Sequence, residues 1–309
     1  MRILVIGAGA TGGYFGGRLL AAGRDISFLV RERRAAQLAD EGLLIKSPCG
    51  DLRLKHPPTL LASELRQPFD LILLSCKAYD LAAAIESFAP AVGPDTLILP
   101  LLNGMAHLDA LDARFSRHAV LGGRCLISAT LSETGTVMHM NAVHSLTFGE
   151  RDGGSSTRID KVRSQLADAG FDAVASPQIT QDMWEKWVLL ATMAAATCLM
   201  RGSVGAILAA PRGKALILQL LDECIDIVAS QGHPPAPAYV AQMRAMLTTE
   251  GSPLKASMLR DIERHARIEA DHVIGDLLKR RPDDLRANPG LKMLEIAFCQ
   301  MKVYEATLD

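Results

Sequence analysis

Short apolar runs alternate with segments of helical period through the first half of the chain. Arg2–Gly7, Asp25–Val30, Asp70–Ser75 and Thr96–Leu101 are rich in Ile, Leu and Val, whereas Thr11–Ala22, Arg33–Glu41 and Tyr79–Phe88 space their apolar residues as a helix does. Nearly uninterrupted apolar strands separated by helices predict a parallel sheet covered on both faces. From Arg124 the pattern changes. Arg124–Leu131, Thr136–Met140 and Ser145–Phe148 read as strands joined by turns around Gly135 and Asn141, closing the domain in antiparallel fashion. A helix (Ile159–Ala169) and a short strand (Asp172–Ser176) complete this part, ending at Pro177.

Beyond Pro177 the strand pattern stops. Helices are expected over Thr180–Met200, Arg212–Gln231, Ala238–Thr248, Leu254–Arg281 and Pro289–Leu308, punctuated by Gly232-His233-Pro234-Pro235 and Gly251-Ser252-Pro253. The expected class is α/β: an N-terminal Rossmann-like domain over 1–178, followed by an all-helical C-terminal domain over 179–309.

Composition narrows the picture. The 309 residues have room for two domains of about 150 residues each. A hydrophobic share of 49% against 22% charged excludes disorder. Thirty-three basic residues against 34 acidic ones give a net charge of −1, so no bulk field favours nucleic acid or a membrane surface. The longest apolar stretch, Trp187–Met200, is shorter than the ~18 residues of a membrane span and contains Thr192 and Thr197. The first residues run straight into a strand without the basic region and cleavage site of a secretory signal, which predicts a soluble, cytoplasmic protein. Six cysteines form no CxxC and eight histidines no HExxH; most of the cysteines sit in apolar runs and are expected to be buried thiols. His139 and His144, five apart, would face opposite sides of a strand, so no metal site is expected.

The strongest motif is Gly7-Ala8-Gly9-Ala10-Thr11-Gly12, a GxGxxG directly after a buried strand and opening a helix. Gly7 permits the tight turn, Gly9 lets the backbone approach a pyrophosphate, and Gly12 lets helix and strand pack closely. The helix N-terminus then faces the phosphates, so a dinucleotide-binding role is expected. The tip of the second strand selects the dinucleotide. Arg31, 19 residues after Gly12, can grip a 2′-phosphate bidentately, which favours NADP(H) over NAD, with a solvated charge run as the plainer reading of Arg31-Glu32-Arg33-Arg34. Lys77 and Asn103 follow the next two buried strands, at the carboxyl edge where ligands bind in such sheets.

In the helical half, Lys186 stands beside Trp184 and Trp187 at the start of a helix that is apolar nearly all round. Such a lysine either snorkels to solvent or is partly buried, its pKa lowered toward the range of a general acid. Glu185, about 100° away on the helix, need not neutralise it. Lys255, Ser257, Asp261, Glu269 and Asp271 make a second polar cluster in the expected long helix, with Ser257, Asp261 and Glu269 within about 120° of one another on it. A solvated charged face is the competing reading.

Together these pieces resemble the ketopantoate reductase (2-dehydropantoate 2-reductase) family over essentially the whole chain: GAGATG, KAYD, LLNGM, GTVMH with TFGE, WEKW, and SMLRDI with EAD, in the family's order. The resemblance implies an enzyme of pantothenate biosynthesis or a close relative, reducing a small 2-oxo acid with NADPH. It implies that Lys186 is the proton donor and contacts substrate, and that Gly7, Ala8, Gly9, Ala10, Thr11, Gly12, Arg31, Lys77 and Asn103 serve the cofactor. It further implies that Glu269 contacts the cofactor near its nicotinamide end, that Ser257 faces the substrate, and that a homodimer is the assembly to look for. The family places amides where this chain has Leu190, Ala194, Val204 and Leu254, which makes the identity of the oxo acid the open point. A 3-hydroxy acid dehydrogenase and a non-catalytic NADP(H)-binding regulator are the alternatives.

Overall fold

In the computed structural model, which describes residues 1–282 and 292–308, the run after Met1 forms β1 (Arg2–Ile6), buried from Ile3 onward. It leads through a glycine turn into α1 (Ala10–Ala21), then β2 (Asp25–Leu29) and α2 (Glu32–Glu41). A hairpin of β3 (Leu43–Lys46) and β4 (Leu52–Leu54) follows, then β5 (Thr59–Leu60), β6 (Leu71–Leu74), α3 (Leu81–Phe88), β7 (Leu97–Pro100) and α4 (Ala106–Phe115). The strands β5-β2-β1-β6-β7 pair in that order, all parallel. Ile6 is level with Leu29 and Leu74, and Leu74 with Pro100, so the carboxyl ends share one edge. The order reverses beside β1, which is the position where open α/β sheets take ligands. The expected parallel α/β sheet is present.

A second sheet, β10-β9-β3-β4 with β8 on β9, completes this unit: β8 (Gly122–Leu131), β9 (Val137–Gly149), and, after α5 (Thr157–Leu166), β10 (Asp172–Ala175). It departs from the antiparallel closure expected of this region. β9 is antiparallel to β8 but parallel to β3 and β10, and it is one strand, not two joined by a turn at Asn141. The turn chemistry of Asn141 makes a local excursion instead. Its Oδ1 accepts from the Val143 N–H at 3.2 Å, while His144 pairs with Ile127 and His139 with Ala129. Residues 140–143 are looped out and the strand resumes in its original direction. His139 and His144 are consequently opposite residues only two apart on β8 and stand on the same face, correcting the expectation of opposite faces.

The chain divides into two compact units, Met1–Leu102 with His107–Thr180, and Asn103–Ala106 with the chain from Gln181 onward. The second is helical: α6 (Ile179–Met200), which begins just before the division, α7 (Val204–Ala209), α8 (Gly213–Ser230), α9 (Pro237–Leu247), α10 (Ser257–Glu263), a π-turn over Asp271–Gly275 running into α11 (Asp276–Lys279), and α12 (Met293–Ala306). Glu223 on α8 accepts the N–H groups of Met293 and Leu294 and so caps α12. The start expected for that helix, Pro289, lies outside the described residues.

The long helix expected over Leu254–Arg281 is broken. α10 closes at His265, which adopts a left-handed conformation (φ 53°). The N–H groups of His265 and Ala266 donate back to Ile262 and Asp261 at 3.0 and 2.9 Å, satisfying the last carbonyls. Ser257 and Asp261 therefore lie on α10 while Glu269 lies beyond it, and the three do not share one helix face. Among the described residues no helix is long and apolar enough to cross a membrane.

Candidate active site

The turn from β1 into α1 is shaped as a dinucleotide loop requires. Gly7 sits at φ 89°, a conformation open to glycine, and its N–H donates to Leu29 O at 2.9 Å. A Cβ on Gly12 would stand 2.1 Å from Ser75 Oγ and 2.3 Å from Gly7 O, so helix and strand approach only because that position is bare. Gly9 differs: its φ is −81° and a Cβ there would meet nothing within 4 Å. Neither strain nor packing within the protein asks for glycine at 9, which fits backbone approach by a ligand. Gly9 is the N-cap of α1, with no side-chain cap and no acidic residue in the first turn, so the amides of Ala10 and Thr11 and the positive end of the helix are left for an anion.

Neighbouring side chains hold this loop. Ser75 at the end of β6 donates to Ile6 O at 2.7 Å, and Arg34 donates to Ala8 O through Nε (3.1 Å) and Nη2 (2.9 Å). Arg31 is the N-cap of α2, its side chain 79% exposed and paired with Asp80 at 3.0 Å. Lys77 is half-buried just after β6, its carbonyl accepting from the Asp80 N–H at 2.9 Å. The residues present fit a dinucleotide.

In the helical unit, Lys186 is 6% exposed, which removes the snorkelling reading. Its Nζ donates to Asn103 Oδ1 at 2.9 Å. Glu185 points elsewhere, accepting from the Ala236 N–H at 2.9 Å and from Gln181. Asn103 is fixed in turn. His272 hydrogen-bonds its backbone, and Gly104 (φ 72°) lies so close beneath the π-turn that a Cβ would meet His272 O at 2.8 Å. The π-turn is held to α6 by Trp187 Nε1, which donates to Val273 O at 2.8 Å. Burial lowers the His272 pKa; the Glu269 charge and the hydrogen bond to Asn103 oppose that. Glu269 is itself buried (8% exposed). Lys186, Asn103, His272 and Glu269 thus form one polar cluster inside an apolar helical frame.

Ser257 stands apart in character, exposed at the first position of α10. The amide-less positions are apolar in place: Ala194 and Val204 are buried, and Leu190 and Leu254 half-buried. Val204 and Leu254 are brought together, the Val204 N–H donating to Leu254 O at 2.9 Å. Sequence reasoning missed His272, whose only signal was its place three residues after Glu269, and it missed the clamping roles of Ser75 and Arg34. Burial, expected for most cysteines, holds for three of the six: Cys125, Cys198 and Cys224 are buried, the last two with thiols pushed up to about 12 by desolvation, whereas Cys49 and Cys76 are half-buried and Cys299 is exposed.

Two family models match the chain, ketopantoate reductase PanE/ApbA over residues 3–153 and its C-terminal part over residues 178–281. An uncharacterized oxidoreductase of Bacillus subtilis (strain 168), YkpB, is 35% identical over 306 residues, 99% of either chain. A 2-dehydropantoate 2-reductase of Halobacterium salinarum is 24% identical over 295 residues, covering 95% of this chain and 96% of its own. The crystal structure of 2-dehydropantoate 2-reductase from Geobacter metallireducens GS-15 matches with a TM-score of 0.87 and 28% identity, over 98% of this chain and 99% of that one.

Proposed function

The chain belongs to the ketopantoate reductase family, whose members are oxidoreductases acting on a CH–OH group, and we propose that it reduces a 2-oxo acid to the 2-hydroxy acid with NADPH, Lys186 acting as proton donor. One observation carries the reading: a buried ammonium aimed by a fixed amide oxygen, Lys186 Nζ on Asn103 Oδ1 at 2.9 Å. NADPH, when bound, supplies the hydride that C2 of the substrate receives. As the C–O π pair moves onto oxygen, Lys186 stabilises the growing charge and transfers a proton to it, then recovers one from solvent. Asn103 holds Nζ in place for that transfer. The uncapped start of α1 and the bare Gly9 hold the pyrophosphate, and Arg31 with the N-terminus of α2 takes the 2′-phosphate.

The substrate follows from the apolar positions. A hydroxyl buried without a partner costs about 1–3 kcal/mol, and Leu190, Ala194, Val204 and Leu254 offer none through their side chains. The favoured substrate carries an alkyl or aromatic chain. A 2-oxo acid panel followed by NADPH absorbance tests both points. Such an acid should match or exceed ketopantoate in kcat/KM, and Ala194→Asn should move the ratio toward ketopantoate. Ketopantoate turnover about tenfold above every other acid would overturn the substrate assignment. Lys186→Ala should lower kcat by at least about a hundredfold with NADPH affinity unchanged; wild-type kcat in that variant would remove Lys186 from the chemistry.

A further inference from the structure

The excursion in β9 assembles a group of side chains that the reduction does not use. His139 and His144 stand on one face of the sheet with rings stacked at 5.5 Å and 22°. Cys49 lies on the turn between β3 and β4, and its Sγ and one ring nitrogen of each histidine all lie within 4.8 Å of one another. We propose that Cys49, His139 and His144 bind a zinc-like divalent ion through one thiolate and two imidazoles, tying the β3–β4 hairpin to β9.

The surroundings are those of imidazole ligands. His139 Nε2 lies 3.1 Å from Val143 O; a carbonyl only accepts, so Nε2 carries the hydrogen and Nδ1 presents its lone pair, now taken by Ser47 Oγ at 2.9 Å. His144 Nδ1 meets Tyr14 Oη at 2.6 Å, leaving Nε2 for the ion. Each histidine thus has an outer partner of the kind that fixes ring orientation in metal sites. Ser47 Oγ also accepts the Cys49 N–H at 3.0 Å and so shapes the turn that carries the thiol. His139 is 5% exposed while Cys49 and His144 are half-buried, a shielded site with an entry path.

The donor set selects the ion. One thiolate with two imidazoles suits zinc and its transition-metal neighbours, and not magnesium or calcium, which take oxygen ligands. Zinc bond lengths place adjacent tetrahedral ligand atoms about 3.3–3.6 Å apart, so the three donors must close by roughly 1 Å, the Cys49 thiol giving up its weak contact with Ala142 O at 3.9 Å. The thiol releases its proton to solvent on binding. Three protein ligands leave a fourth position for water.

The test is a cobalt(II) titration of the chelator-stripped full-length protein, followed by displacement with zinc. One equivalent should bind with a thiolate-to-cobalt charge-transfer band. Cys49→Ser should abolish that band, and His144→Gln should weaken binding by more than about a hundredfold. Tyr14→Phe should weaken it by about 10–100-fold, the effect of losing an outer partner. Cys299→Ser, at an exposed thiol, should change nothing. One equivalent of zinc should also slow alkylation of Cys49 in the wild-type protein at least tenfold, a readout that needs no variant to fold. A missing charge-transfer band, a band that survives Cys49→Ser, or unprotected Cys49 would each overturn the proposal.

Discussion

Lys186 Nζ donates to Asn103 Oδ1 at 2.9 Å across 83 residues of chain, and the acceptor is itself held in place. Asn103 is gripped by His272 on one side and by the close approach of Gly104 to His272 O on the other. The resemblance gives Asn103 a cofactor-binding role, and its side-chain oxygen also accepts from the lysine. Asn103→Ala removes a charge-assisted hydrogen bond worth about 1.5–3 kcal/mol, so kcat should fall about ten- to a hundredfold. A rise in the KM for NADPH at constant kcat would assign Asn103 a purely cofactor-binding role. Steady-state kinetics on both substrates separate the two.

Arg31 is largely solvent-exposed, and its ion pair with Asp80 therefore contributes only about 0–1 kcal/mol to stability. Arg31→Ala should leave the melting temperature nearly unchanged. It should weaken NADPH binding about ten- to a hundredfold and leave NADH binding almost untouched. Equal losses for the two cofactors, measured by fluorescence titration, would show that Arg31 does not read the 2′-phosphate.

Gly9 and Gly12 should respond oppositely to the same substitution. At Gly12 the added methyl meets a backbone oxygen at 2.3 Å, so Gly12→Ala should cost about 1–3 kcal/mol in a urea melt. At Gly9 the methyl enters open space, so Gly9→Ala should melt as the wild type does yet bind NADPH more weakly. Unaltered NADPH affinity in Gly9→Ala would argue against pyrophosphate at that position.

Glu150, at the end of β9, receives a bidentate grip from Arg158 and a bond from Ser156, and the Arg158 hydrogen bond is the largest cause holding its carboxyl below the usual value. Both partners are mostly buried. A carboxylate depressed in the folded state adds stability that is fully present above its unfolded value, near 4.5, and is lost as pH falls through the lowered folded value. Glu150→Gln should therefore lower stability by about 1–2 kcal/mol at pH 7, with the gap to wild type closing as pH drops below that window. A gap independent of pH in denaturant melts would assign the loss to packing.

Much of the fold could be read along the chain because its signals are local. An apolar run such as Leu71–Leu74 must be buried on both faces wherever it ends up, and GAGATG fits only a strand–turn–helix. Arg31 and Lys77 were placed by the same logic, since the end of a parallel strand is a fixed address in such a sheet. What escaped depends on contacts between distant segments. Asn141 carries turn chemistry, but pairing with β8 on one edge and with β3 and β10 on the other carries β9 past it, so the turn became an excursion and two histidines moved to one face. The helical period runs on through Glu263–Arg267, yet the chain leaves the helix at His265, where the carbonyls of Asp261 and Ile262 are satisfied by a left-handed cap. Lys186 could be singled out by its apolar neighbours; whether it is buried, and that an asparagine 83 residues earlier holds it, is decided by where the Asn103–Gly104 turn packs, because hydrogen bonds between remote residues leave no periodicity in a sequence.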